Sequence, residues 1–168
     1  MNTQLYPIPG PWHGNLAVIP RPRGGDWLDD EARGWRRSGI DIVVSLLENQ
    51  EADQLNLLEE GDAAEANGIR FISFPIPDRG VPASTPASLS LMTDIAGALE
   101  LGKTVAVHCR QSIGRAGLVA AGVLIASGVA PDQAIETVSA ARGLPIPETS
   151  EQREWVRRLP YPQILLQK

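Results

Sequence analysis

His108-Cys109-Arg110-Gln111-Ser112-Ile113-Gly114-Arg115 brings a thiol and a guanidinium onto one short loop. The loop follows the apolar run Thr104–His108 and precedes a long apolar stretch, so it reads as a strand-to-helix connection. Such a connection is an anion site, because successive backbone N–H groups turn toward one point and the helix aims its positive end there. Gly114 permits backbone angles that other residues resist. Arg115 adds a planar fork suited to two phosphate oxygens. The helix terminus and the cation favour the thiolate of Cys109 over the thiol. A thiolate beneath a bound phosphoryl group can attack phosphorus in line, and the departing oxygen then needs a proton. Asp78, in Phe74-Pro-Ile-Pro-Asp-Arg-Gly-Val-Pro82, follows an expected strand end within a Pro/Gly-bounded loop and could supply it.

Each of these residues also has a plainer reading. A lone cysteine is commonly a small buried hydrophobe, and Pro-Asp-Arg-Gly is a good turn in its own right. His108 fits either an orienter of the loop or a satisfied core histidine. Arg110 and Arg79 would supply a positive field, or be solvated charges. The flanking His108 and the arginine at 115 lift Cys109 out of the plain reading.

The elements that must hold these residues follow from periodicity. Leu16–Ile19, Ile40–Leu47, Arg70–Ile76 and Thr104–His108 read as strands. Helices are expected over Asp26–Ser38 with Asp26 as N-cap, over 51–66, over Pro86–Leu101, from Gly114 to Ser127, and over Pro131–Arg142. A last helix begins near Thr149, where Thr149-Ser-Glu-Gln152 matches a capping box. Strands alternating with helices predict an α/β fold: a mostly parallel central sheet flanked by helices, in a single domain over residues 1–168. Ligands bind beyond the carboxyl ends of such strands, where the loops of Cys109 and Asp78 would meet.

Fifteen Lys and Arg against twenty Asp and Glu leave a net charge of −5, which speaks against a nucleic-acid partner. An acidic chain that handles phosphate must gather its positive charge locally. One cysteine cannot form an internal disulfide, and one Cys with two His makes no zinc site, so no metal or other cofactor is expected. Met1–Gly10 lacks the pattern of a secretory signal, and the apolar run Ala116–Ala130 falls short of the roughly 20 residues of a membrane span. The expectation is a cytoplasmic protein without a membrane partner.

The loop from His108 to Arg115 resembles the Cys-x5-Arg signature of the protein tyrosine and dual-specificity phosphatases. The resemblance runs over roughly residues 14–158 and is nearest to the cyclin-dependent-kinase-associated phosphatase group and its bacterial relatives. Pro75–Pro82 is similar to their general-acid loop, Leu118–Ala121 to the helix behind the phosphate loop, and Pro131–Ile135 with Arg142-Gly143 to the next helix and its end. Glu148–Gln152 is similar to their glutamine segment. The resemblance implies Cys109 as nucleophile, Arg115 as phosphate clamp and Asp78 as general acid. It makes Arg110, Gln111, Ser112, Ile113, Gly114 and Arg115 the phosphate loop. Gln152 becomes the water-positioning residue, a role compatible with an N3 capping glutamine. The implied substrate is a phosphorylated protein or a small phosphate ester.

Two positions depart from the family. It usually has Gly where Ser112 stands, and Ser or Thr where Ala116 stands. Ala116 lacks a hydroxyl that would help the thiolate leave, which makes turnover the affected step. It also motivates an alternative reading, a phosphate-recognising binding module with little turnover. A sulfurtransferase would share the cysteine loop but needs neither Asp78 nor Gln152.

Overall fold

The computed structural model describes residues 3–160. Its centre is strand β5, Thr104–His108, which is buried from Val105 onward. Four further strands complete a sheet: β1 (Tyr6–Ile8), β2 (Asn15–Val18), β3 (Ile42–Ser45) and β4 (Arg70–Ser73), in the order β1-β2-β5-β3-β4. Only β1 runs antiparallel to its neighbour. β5 pairs on both sides, with Val107 opposite Val18 in β2 and Val44 in β3.

The period-two pattern decides what each face meets. Val105 and Val107, with Ile42 and Val44, face one core, built with helices α4 (Thr85–Glu100), α5 (Gly114–Ala126), α6 (Pro131–Arg142) and α7 (Ser150–Arg157). Ala106 and Val43 face the other, built from Ala32 and Trp35 of α1 (Leu28–Arg37) and Ala64 of α3 (Glu60–Ala66). Helix α5 is buried from Gly114 to Ile125, as its nearly continuous apolar sequence requires. It fits so closely because Gly117 and Gly122 lie against Ile146 and Met92, where a Cβ would come within 2.0 and 2.3 Å of side-chain atoms. This two-sided α/β architecture is the one expected from the alternation of elements.

Three local features differ from the sequence expectation. β1 forms at the sheet edge although Pro7 sits in its middle, since an edge strand tolerates a missing N–H. Asp26 does not cap α1; a 3₁₀ turn over Gly25–Trp27 leads into the helix, and Trp27 holds the cap position. The helix expected over 51–66 is two, α2 (Asn49–Gln54) and α3, because Asn56 adopts φ 57° and turns the chain so that Leu57 packs with Leu28 and Leu47. A capping box between Glu48 and Glu51 starts α2.

The parallel strands β2, β5, β3 and β4 all end on the same edge of the sheet. The segments that leave them are Ile19–Gly24, Cys109–Ile113, Leu46–Glu48 and Phe74–Ser84. The candidate site is built from these segments, from α2 and the first residues of α3 and α5, and from the α7 start.

Candidate active site

Cys109 follows directly on the last residue of β5 and is 2% exposed. The chain then crosses Arg110–Ile113 and enters α5 at Gly114. The first backbone bond across this entry runs from Gly117 N–H to Ile113 O at 2.9 Å, so the first-turn amides have no acceptor within the helix. Ser112 stands in the loop with φ 57°, the left-handed region that a glycine enters without strain. Its hydroxyl donates to Ile19 O at 2.5 Å, and its carbonyl accepts from Arg142 Nε at 3.1 Å. These two bonds hold the serine where the backbone alone would resist it.

Arg115 turns back from the first turn of α5 beneath the loop and is buried. Its two terminal nitrogens meet Glu51 of α2 at 2.7 and 2.9 Å, and one also donates to Ile76 O at 3.0 Å. The other lies 3.2 Å from Asp78 Oδ1. Burial alone would lower the Arg115 pKa; the hydrogen bond to Glu51 and the charges of Cys109, Glu51 and Asp78 outweigh it and raise it. Burial alone would raise that of Glu51; the hydrogen bonds from Arg115 and Glu48 N–H, with the charges of Arg115 and Arg110, hold it below its ordinary 4.5. The pair is therefore fully ionised at neutral pH.

Asp78 carries the most exposed carboxylate near the site, with 56% of its side chain accessible. Its loop is fastened in two ways. Gly80 N–H closes a turn onto Pro77 O at 2.8 Å, with Arg79 at φ 61°, and Gly80 O accepts from Gln152 Nε2 at 3.0 Å. Gln152 is fully buried behind the cleft, and its Oε1 completes the capping box by accepting from Thr149 N–H at 3.3 Å.

Behind the nucleophile, His108 is buried between two acceptors. Its Nε2 lies 2.5 Å from Glu60 Oε2 and its Nδ1 3.3 Å from Cys109 O. This places it against the backbone of the loop.

The loops enclose a small cleft of about 100 Å³ whose lining includes Cys109, Arg110, Gln111, Gly114, Arg115, Asp78, Arg79 and Glu148. Three of these are arginines against two carboxylates, with Arg79 3.9 Å from Glu148 and Arg115 3.2 Å from Asp78, which leaves a modest local excess of positive charge in an acidic chain. Of the residues expected from sequence, Ser112, Ile113, His108 and Gln152 stand around this cleft rather than in its lining. Glu51, Glu60 and Glu148 were missed. Glu48-x-x-Glu51 is legible as a capping pattern, but nothing in it names Arg115 as partner. Glu148 lies at the edge of the glutamine segment, with Oε1 3.0 Å from where a Cβ on Gly114 would stand. Tyr6, Trp12 and Trp27 are not among the lining residues: Tyr6 lies under Arg142, Trp12 donates to Ser127 Oγ, and Trp27 lies under Arg23.

The chain is similar to known proteins over most of its length. Residues 19–129 match the family model of a polymorphic toxin system phosphatase of the dual-specificity and tyrosine type. Cyclin-dependent kinase inhibitor 3 of Rattus norvegicus is 28% identical over 123 residues, covering 72% of this chain. The match spans 58% of that relative's length. Among solved structures, the active form of Tk-PTP is 30% identical, with a TM-score of 0.70 over 87% of this chain and 94% of the other. Kinase associated phosphatase, solved with its catalytic-site cysteine replaced by serine, shares the fold at 18% identity, with a TM-score of 0.82 over 93% of each chain.

Proposed function

The chain belongs to the cysteine-dependent tyrosine and dual-specificity phosphatase family, and on that premise we propose that it hydrolyses phosphate monoesters through a phosphocysteine intermediate on Cys109. The observation that carries this reading is that Cys109, Arg115 and Asp78 line one cleft, with Asp78 within 3.2 Å of the Arg115 guanidinium.

In the first step the phosphate sits in the loop Arg110–Arg115, held by backbone amides and by Arg115. Glu51 fixes the plane of that guanidinium, so it meets the phosphate already oriented. The Cys109 thiolate attacks phosphorus, the bond to the ester oxygen breaks, and Asp78 gives that oxygen its proton. In the second step Asp78, now a carboxylate, takes a proton from water as the water oxygen attacks phosphorus. The sulfur–phosphorus bond breaks, and the thiolate and inorganic phosphate are restored.

Gln152 enters this scheme through the acid loop. Its bond to Gly80 O keeps Asp78 over the cleft for both steps, and Glu148 lines the same cleft. His108 supports the backbone at Cys109. The reading takes residues 1–168 as one phosphatase domain that uses no metal.

The test is hydrolysis of p-nitrophenyl phosphate, with acid-quenched protein examined by mass spectrometry for a phosphoryl group on Cys109. Cys109→Ser should lose turnover while still binding inorganic phosphate. Retention of more than about a tenth of wild-type turnover would remove Cys109 as nucleophile.

A further inference from the structure

A second hollow of about 450 Å³ opens beside the catalytic cleft and shares Arg110 and Gln111 with it. Its outer wall is the segment Pro20-Arg21-Pro22-Arg23, which leaves the carboxyl end of β2. Pro22 is buried while Arg21 and Arg23 are exposed, the alternation of an extended chain. The two prolines fix their own φ, so both arginines are presented with little ordering left to pay on binding. Arg21 donates to Arg110 O at 2.5 Å, which brings its guanidinium against the phosphate loop itself. Arg23 lies over the Trp27 ring at 4.1 Å and gives Nε and one terminal nitrogen to Glu31. Its other terminal nitrogen has no protein acceptor among the described residues. The lining of this hollow holds three arginines, Arg21, Arg23 and Arg110; Glu31, paired with Arg23 at 2.7 Å, stands outside it.

The cleft over Cys109 bears on the scaffold of the substrate. No aromatic or aliphatic side chain stands among its lining residues, so a phosphotyrosyl ring would find no apolar wall there. A hydrophilic scaffold loses nothing in that setting. A second phosphate on such a scaffold would reach the neighbouring arginines across Arg110 and Gln111.

We propose that the hollow is a second phosphate subsite, and that the substrate class is a small polyol carrying at least two phosphates, one over Cys109 and another among Arg21, Arg23 and Arg110. This rests on the phosphatase reading above for the first phosphate only.

The experiment compares kcat/KM for a soluble inositol bisphosphate with that for an inositol monophosphate sharing its scissile group, in wild type and in the Arg21→Gln/Arg23→Gln variant. Two guanidinium contacts to one phosphate should favour the bisphosphate by about 10- to 100-fold, and the variant should bring the ratio below about 3. Because the readout is a ratio, a general disturbance of the loop through Arg21 cancels. A parallel arm presents the same head group on phosphatidylcholine vesicles. Preference for the soluble compound assigns a free polyol phosphate, and preference seen only on vesicles assigns its lipid-borne form.

Calorimetry with Cys109→Ser repeats the comparison without turnover. Tighter binding of the bisphosphate, lost in the arginine variant, supports the subsite even if no substrate is hydrolysed, in which case the phosphatase reading falls instead. Hydrolysis of p-nitrophenyl phosphate with a bisphosphate-to-monophosphate ratio near one, or a ratio unchanged in the variant, overturns the subsite and leaves the phosphatase reading standing. Higher kcat/KM for a phosphotyrosine peptide than for the bisphosphate overturns the substrate class.

Discussion

Glu51 and Arg115 meet as two parallel hydrogen bonds, a carboxylate fork on a guanidinium fork, with both side chains buried. The pair ties α2, which starts just after β3, to the first turn of α5. It leaves a face of Arg115 toward the cleft, where Asp78 reaches it.

Glu51→Gln should damage both fold and catalysis. Gln keeps one acceptor for the guanidinium but removes the charge, leaving Arg115 buried without its main partner. We expect a loss of about 2–3 kcal/mol in unfolding free energy by urea titration. A fall in kcat/KM of at least about 10-fold should accompany it through a misoriented Arg115. A variant as stable and as active as wild type would show that the pair positions nothing.

The same pair sets a pH dependence of stability. The folded-state pKa of Glu51 is depressed below 4.5, so its contribution is fully present above 4.5 and is lost as pH falls through the lower folded value. The stability gap between wild type and Glu51→Gln should be flat from neutral pH down to about 5 and should narrow below that. Taking the difference isolates Glu51 from the other carboxylates. A gap that widens on acidification contradicts the assignment.

Asp78 competes with phosphate for Arg115 in the substrate-free site. Asp78→Ala should therefore tighten inorganic phosphate, lowering its inhibition constant by about 3-fold or more, since a counter-charge has been removed. It should also slow alkyl phosphates by about 100-fold or more, because poor leaving groups need the proton. Activated aryl phosphates should suffer much less. Equal losses on both substrate types, with phosphate affinity unchanged, would make Asp78 a turn residue only.

Gln152→Ala should imitate part of that pattern from a distance. It frees Gly80 O and breaks the capping box of α7, so stability should drop by about 1 kcal/mol. Catalysis should fall for poor leaving groups more than for good ones, because the acid loop is loosened while Cys109 and Arg115 are untouched. A uniform loss across leaving groups would confine Gln152 to its capping role.

Ala116 bears on the second step, in which charge returns to sulfur. It is fully buried and offers no donor, while the nearby Ser112 hydroxyl is committed to Ile19 O. Loss of one hydrogen bond to a developing charge costs about 1.5–3 kcal/mol, or about 10- to 150-fold in that step. Rapid mixing with p-nitrophenyl phosphate should show a burst near one equivalent of phenol. Ala116→Ser should raise kcat and KM together, with kcat/KM nearly constant. No burst, with kcat unmoved by the substitution, would mean that the first step limits turnover.

What could be read from sequence was what short-range chemistry determines. β5, its loop and α5 follow from apolar runs flanking a Cys-to-Arg spacing, and the Thr149–Gln152 capping box formed as its four residues suggest. The partners that complete the site come from far along the chain: Glu51 lies 64 positions before Arg115, and Glu60 lies 48 before His108. No local pattern distinguishes an acidic residue that will be buried against a cation from one that will face water. The turn at Asn56 was missed for the same reason, since its cause is Leu57 packing into a pocket made by Leu28 and Leu47.

The position of β5 between β2 and β3 also sets an order of assembly. While a ribosome delivers the chain from its amino end, β3 and β4 can pair early, with only a short helical excursion between them. β2 and β3 must each wait with an open hydrogen-bonding edge until residue 108 has emerged, because the strand that fills the gap is the last of the five among the described residues. The nascent chain is most exposed to mispairing in that interval. Cys109 follows immediately on the strand that ends it, so the nucleophile is synthesised only as the sheet that will shelter it becomes able to close.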